Sequence, residues 1–356
     1  MAIDISKILK MVSSRNCSDI HFHVGRPPTV WLDGRLRSLD LPVLTPEDTE
    51  QVVETITPKR CKADFEAKGG ADFAYPFENG VRFRVGIYHQ KGNMAVAMRL
   101  LPNRMMSFEE IGLPMGIKNL LLKPRGLFLV TGPTGSGKTT TLATMIDFIN
   151  AEQDQHIITI EDPIEYYHEH KKSVVTQREV GVDVTTFGEA TVRALRQDPD
   201  VILVGEMRDL ETMEAAIVAA ETGHLVFSTL HTTGAAKTVN RIIDVFPMQQ
   251  QEQIRTQLST NLLAVISQEL LPKVGGGRVA AFEIMVTTPS ISHLIRENQV
   301  HKIVSDIQTG KRHGMVLLDD FLAELYRSGK GEYAEVMKRA QDPASLQQKI
   351  KQGLQE

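Results

Sequence analysis

The chain passes from a short apolar run, Leu127 to Val130, through Gly132-Pro133-Thr134-Gly135-Ser136-Gly137-Lys138-Thr139 into a helix-forming stretch from about Lys138 to Asn150. Those eight residues satisfy GxxxxGK[ST], and their place between a strand and a helix is the one a phosphate-binding loop requires. Glycines are needed because the backbone must wrap a β-phosphate with its N–H groups turned inward, where side chains would obstruct the approach. The helix that follows adds the positive end of its dipole. Lys138 is placed to reach the β- and γ-phosphates. The Thr139 hydroxyl can complete a magnesium coordination sphere made mostly of water and phosphate. With Thr140 alongside, Gly132 to Thr140 is the candidate nucleotide-binding stretch, and the loop commits this part of the chain to an α/β fold that binds a nucleoside triphosphate.

The rest of the second half repeats the alternation. Apolar runs at His156 to Ile160, Val201 to Val204 and Leu225 to Ser228 alternate with helical stretches near Thr186 to Gln197 and from Leu210 to Glu221. The runs lack a period of two, as expected of strands buried on both faces of a parallel sheet. Thr186 and Glu189 form a capping-box pair, and Asp198-Pro199 ends that helix. Beyond Pro247 the pattern is mostly helical, with a strand expected from Arg278 to Met285 after Gly275-Gly276-Gly277.

The first hundred residues read differently. Ile3, Ile5, Ile8, Leu9 and Val12 share a helix face. Strand pairs are then expected across Asp33-Gly34 and Asn79-Gly80, with a further turn at Gly92-Asn93 leading into Met94 to Leu100. Val81, Phe83, Val85 and Ile87 alternate with Arg82 and Arg84, giving a small α+β unit over 1–100. Pro102, Gly112, Pro114, Gly116 and Pro124 mark 101–125 as a linker, leaving 126–356 as the nucleotide-binding domain with a helical part from about 247.

In an open α/β sheet the ligand sits at the carboxyl ends of the strands, so polar residues just past each apolar run are the site candidates. Glu161-Asp162-Pro163-Ile164-Glu165 places three carboxylates in five residues after one strand, where one could orient and deprotonate an attacking water. Gly205-Glu206 ends the next strand, in the place of an acid that holds magnesium, more naturally through water. His224 precedes the last strand and Thr229 and His231 follow it, so a hydroxyl and an imidazole could sense a γ-phosphate.

Forty basic against forty-four acidic residues give a net charge of -4 without long runs of either sign, which removes the electrostatic reason to invoke nucleic acid. Cys17 and Cys61 are the two cysteines, too few for a disulfide framework or a four-cysteine zinc site, and they point to a reducing cytoplasm. No stretch approaches the roughly 20 apolar residues of a membrane span, so contact with a membrane is expected only through another protein.

Together these stretches resemble the secretion ATPase superfamily that powers type II secretion and type IV pili, and within it the PilT-type retraction ATPases. The matching motifs are the Walker A stretch Gly132 to Thr139, the acidic box Ile160 to Glu165, the Walker B stretch Asp198 to Asp209 and the histidine box Gly223 to Thr233. The resemblance implies a PAS-like N-terminal domain joined by a flexible linker to a RecA-like P-loop core, acting with ATP and Mg²⁺ as a homohexamer. It implies a cytoplasmic location beside the inner membrane, against a pilus platform protein. It further implies Glu165 as general base with Glu161 second, Glu206 as the Walker B acid, and His224 and His231 as links between nucleotide state and subunit interface. Arg84 and Arg99, with Arg82, correspond to arginines that reach across to nucleotide.

Extension and secretion members of the family usually carry a four-cysteine zinc element after the histidine box, and this chain has no cysteine beyond Cys61. Ser290 to Glu297 resembles the AIRNLIRE motif of retraction ATPases but departs at Ser290, Ser292 and His293, and Gly314-Met315 with Asp319 resembles another part of their C-terminus. The implied function is pilus retraction, with an accessory retraction paralogue or a related pilus or secretion assembly ATPase as alternatives.

Overall fold

The structure is a computed structural model that describes residues 4–15, 17–32, 35–102 and 104–352. The chain forms two compact units, Met1–Arg104 with Pro163–Tyr166, and Met105–Asp162 with Tyr167–Glu356. Ile3 and the Asp33-Gly34 turn lie outside the described residues.

The first unit begins with α1 (Ile5–Ser14), whose N-cap Asp4 accepts from the Lys7 amide and whose Ile5, Ile8, Leu9 and Val12 are buried. Strands β1 (Cys17–Phe22), β2 (Thr29–Leu32) and β3 (Arg35–Ser38) precede helices α2 (Pro46–Ile56) and α3 (Lys59–Lys68), then β4 (Gly70–Pro76), β5 (Arg82–Gln90) and β6 (Asn93–Leu100). They form an antiparallel sheet in the order β3-β2-β1-β6-β5-β4. Alternation buries Phe83, Val85 and Ile87 of β5 with Val96 and Met98 of β6 in a core shared with Val52, Val53 and Ile56 of α2. Asn79 and Gly80 take positive φ at the expected turn. The next turn uses Lys91 and Gly92, at φ 51° and 77°, one residue earlier than expected, because that turn type needs positive φ at both central positions.

The second unit starts inside the expected linker. Helices α4 (Phe108–Ile111) and α5 (Lys118–Leu121) lie there, and Phe108, Ile111, Leu113, Ile117 and Leu121 are buried. The prolines and glycines punctuate this segment without freeing it, since its apolar residues find a core.

Next come β7 (Gly126–Thr131), α6 (Lys138–Glu152), β8 (His156–Glu161), β9 (Val174–Glu179), α7 (Phe187–Ala194), β10 (Val201–Val204), α8 (Leu210–Glu221) and β11 (Leu225–Leu230). They are followed by α9 (Ala235–Val245), α10 (Met248–Asn261), β12 (Leu262–Pro272), β13 (Arg278–Val286), α11 (Pro289–Arg296), α12 (Ile303–Thr309), α13 (Leu318–Arg327), α14 (Tyr333–Lys338) and α15 (Pro343–Gln352). The sheet order is β13-β12-β7-β11-β10-β8-β9, parallel except for β13, which runs antiparallel to β12. Leu127 and Leu129 of β7 face a core shared with α8 to α11, while Phe128 and Val130 face a second core with α6. Each fully buried side chain of this kind contributes roughly 1.5–3 kcal/mol.

Three further expectations are corrected. The region beyond Pro247 is not mostly helical before Arg278, because β12 occupies 11 residues there. β9 was not anticipated. The capping box is half formed: the Glu189 amide donates to Thr186 Oγ1, but the Glu189 carboxylate turns to Thr185 Oγ1 and Arg193.

Candidate active site

β7 delivers the chain to the loop at Thr131, and α6 begins at Lys138, so Gly132 to Gly137 spans the gap between a buried strand and a helix N-terminus. Gly137 is the N-cap at φ 90° and offers no side-chain cap, which leaves the first-turn amides of α6 aimed toward an anion. Gly132 has φ 138°, and a Cβ there would sit 2.2 Å from the Gln268 carbonyl oxygen; one on Gly137 would sit 2.9 Å from Gln268 Nε2. Thr141 Oγ1 donates to Gln268 Oε1 at 2.7 Å, so β12 braces the loop through both the backbone and the side chain of Gln268. Lys138 Nζ donates to the carbonyls of Gly132 and Pro133 at 2.8 and 3.0 Å, which holds its ammonium across the loop. Pro133, Thr134, Gly135 and Ser136 form the loop itself, with the Ser136 amide donating to the Pro133 carbonyl, while Thr139 and Thr140 lie part-exposed in the first turn of α6.

Register aligns the other candidates with this loop. Thr131 pairs with Leu230, Leu129 with Ser228, Ser228 with Val204 and Val204 with Ile160, so His231, Glu206 and Glu161 all leave the same carboxyl edge as the loop. Thr229 Oγ1 donates to the Gly205 carbonyl at 2.7 Å and the Met207 amide to the Thr229 carbonyl at 3.0 Å, which fixes the ends of β10 and β11 together. Glu206 carries Arg208 Nε at 2.6 Å on one carboxylate oxygen and His231 Nε2 at 3.3 Å on the other. Glu161 is buried, and its Oε1 accepts from Thr159 Oγ1 at 2.6 Å and Gln177 Nε2 at 3.0 Å.

His224 is not part of this edge. It precedes β11, whose first residue Leu225 pairs with Gly126, so it sits at the amino edge, with seven residue steps of extended chain, roughly 22–24 Å, between it and His231. Its Nδ1 lies 2.9 Å from the Ala219 carbonyl, where it closes the end of α8.

In the first unit Arg84 and Arg99 are register partners on β5 and β6, and therefore share a face. Arg99 Nε is 2.7 Å from Asp19 Oδ1, while Arg84 is exposed. Arg82 differs from both: it is buried and donates from Nη1 to the Ile164 carbonyl at 2.6 Å and from Nη2 to the Glu165 carbonyl at 2.7 Å. Arg82 thus holds the backbone of the acidic box, with Glu165 on the held segment.

Sequence reasoning missed Gln268, Gln177 and Thr159. Gln268 had a signal, an amide side chain inside the apolar run Leu262 to Leu271. Gln177 had none, since β9 itself was unseen.

The profile of the Type II/IV secretion system protein family matches residues 72–354. The chain is similar to the type IV pilus retractation ATPase PilT of Pseudomonas aeruginosa, at 46% identity over 97% of this chain and 100% of that protein. It is also similar to a twitching motility protein of Neisseria gonorrhoeae, at 46% identity over 90% of this chain and 86% of that one. Among solved structures, the crystal structure of the pilus retraction motor PilT with bound ADP superimposes with a TM-score of 0.90 at 47% identity, covering 97% of this chain and 99% of that one.

Proposed function

This chain belongs to the type II/IV secretion system protein family, with the PilT-type retraction ATPases, and from that premise we propose that it is a magnesium-dependent ATPase motor that retracts type IV pili. The observation that carries the reading is the carboxyl edge of the second unit, where a phosphate loop, Glu161, Glu206 and His231 stand in one register.

The loop amides and Lys138 bind the β- and γ-phosphates. Thr139 and Glu206 supply a hydroxyl and a carboxylate, hard oxygen donors without a three-ligand cage among the described residues, and such a set suits a magnesium ion that keeps water and phosphate as its other ligands. When bound, that ion supplies neutralisation of the charge developing on the phosphates. We take Glu165 as the general base, with Glu161 second; Glu161 has one carboxylate oxygen on Thr159 and Gln177, and Arg82 holds the backbone carbonyl of Glu165. Arg84 and Arg99 deliver positive charge to the γ-phosphate, so that hydrolysis depends on how domains or subunits meet.

We place the motor as a homohexamer on the cytoplasmic side of the inner membrane, acting on a pilus platform protein; no helix among the described residues is long and apolar enough to cross a membrane. The test is twofold. Purified protein should hydrolyse ATP and lose turnover in Lys138→Ala and Glu165→Gln, and the gene should restore twitching to a deletion strain that keeps its pili. Absence of hydrolysis, or twitching that survives deletion, overturns the reading.

A further inference from the structure

Glu283 on β13 is 3% exposed, an unusual place for a carboxylate, and none of the roles above uses it. Its Oε1 accepts from the Ala235 amide at 2.8 Å, and its cross-strand partner Ser267 accepts from the Gly234 amide at 2.8 Å. Two neighbouring side chains of the β12–β13 pair therefore take the amides of the N-cap and first residue of α9, the helix that begins four residues after His231. Gly234 is packed against this pair: a Cβ on it would lie 3.4 Å from Glu283 Oε1.

The other Glu283 oxygen faces the C-terminal segment. Gln341 Nε2 donates to Oε2 at 3.2 Å, while the Gln341 and Asp342 amides donate to the two carboxylate oxygens of Asp319 on α13. Burial pushes the Glu283 carboxyl above its ordinary range, opposed by the donors from Ala235, Leu318 and Gln341. A buried group this costly, joined to the root of α9 on one oxygen and to the C-terminal helices on the other, does more than fill space.

We propose that Glu283, seated beside Ser267 and reached by Gln341, is a positioning residue that fixes the loop His231–Gly234 for hydrolysis and couples it to the C-terminal helices α13 to α15. The proposal rests on the ATPase reading and adds the path by which the site reaches the far part of its own unit. Ser267 also pairs with Thr131, the last residue before the phosphate loop, so loop and histidine segment are referred to the same rung of the sheet.

Hydrogen exchange and steady-state ATP hydrolysis, both on the full chain, test it. Gln341→Ala and Glu283→Ala should raise amide exchange across 232–236 about tenfold, the loss of about one hydrogen bond to a charged group. In the same variants kcat should fall about tenfold with KM for ATP within about twofold, the pattern of a lost transition-state arrangement. Glu283→Gln, which keeps an acceptor for Ala235, should recover most of kcat. If Glu283→Ala does not fold, Gln341→Ala and Glu283→Gln carry the test alone. Wild-type exchange at 232–236 in Gln341→Ala, or a raised KM with kcat intact, overturns the link. A wild-type chain that hydrolyses no ATP defeats the motor reading, while the exchange measurement still decides the link.

Discussion

His231 Nε2 lies 3.3 Å from a Glu206 carboxylate oxygen, and the other oxygen of that carboxylate is taken by Arg208 Nε at 2.6 Å. Glu206 is thereby held between two exposed partners while its own side chain is mostly buried, so its orientation depends on both. Removing the imidazole frees one oxygen to rotate, and in the role proposed for Glu206 the carboxylate then spends less time aimed at a magnesium–phosphate complex. His231→Ala should lower kcat by about tenfold to a hundredfold, the worth of a hydrogen bond to a charged group, with nucleotide affinity nearly unchanged. A fall in affinity with unchanged kcat would count against this role.

The phosphate loop is braced from β12, so its failure can be provoked outside the motif. Gly132→Ala places a Cβ 2.2 Å from the Gln268 carbonyl oxygen at φ 138°, a collision with main chain that rotation of a side chain cannot relieve. It should cost about 2 kcal/mol or more of stability and remove nucleotide binding. Gln268→Ala leaves Thr141 Oγ1 without its buried acceptor and should destabilise by about 1–3 kcal/mol, with a weakened nucleotide affinity that Gln268→Glu partly restores. Thermal unfolding and titration with a fluorescent nucleotide measure both.

What could be read in the sequence follows how local each signal is. The phosphate loop, β10 from Val201 to Val204 and α8 from Leu210 to Glu221 were legible because each is one contiguous run with its own punctuation. β12 was not, because an apolar run with Ser267, Gln268 and Glu269 inside it has no period that separates a strand from a helix; only pairing with β7 and β13 decides it. His224 and His231 lie in one motif, yet a whole strand sits between them, so proximity in sequence gave no proximity in space. The packing of 101–125 was illegible for the opposite reason, since prolines and glycines announce turns but say nothing of the core that Phe108 and Leu121 find.

Arg82 and Arg84 are two residues apart on one strand and separate cleanly by experiment. Arg82 is buried and gives two hydrogen bonds to the carbonyls of Ile164 and Glu165, so Arg82→Ala should cost about 3 kcal/mol and lower turnover by releasing the segment that carries Glu165. Lysine should not rescue it, because a single ammonium cannot reproduce the two-pronged geometry of the guanidinium. Arg84→Ala, at an exposed position, should leave the melting temperature unchanged and lower turnover only. Equal melting temperatures for the two variants would show that Arg82 is not the anchor of the acidic box.

His168 gives the chain an acid-sensitive element away from the phosphates. Burial is the main reason its pKa falls from 6.5 to about 4, with Lys171 acting in the same direction and Asp147 opposing. The folded chain therefore keeps the imidazole neutral where the unfolded chain protonates it. Between pH 6.5 and 4 the unfolded state binds the extra proton, so the stability contributed at neutral pH is lost progressively as pH falls through that window, up to about 3 kcal/mol. His168→Gln cannot titrate, and the melting temperature of the wild type minus that of this variant should fall between pH 7.5 and pH 4.5. A difference that stays level across the window would show that His168 is protonated as easily in the folded chain as in the unfolded one.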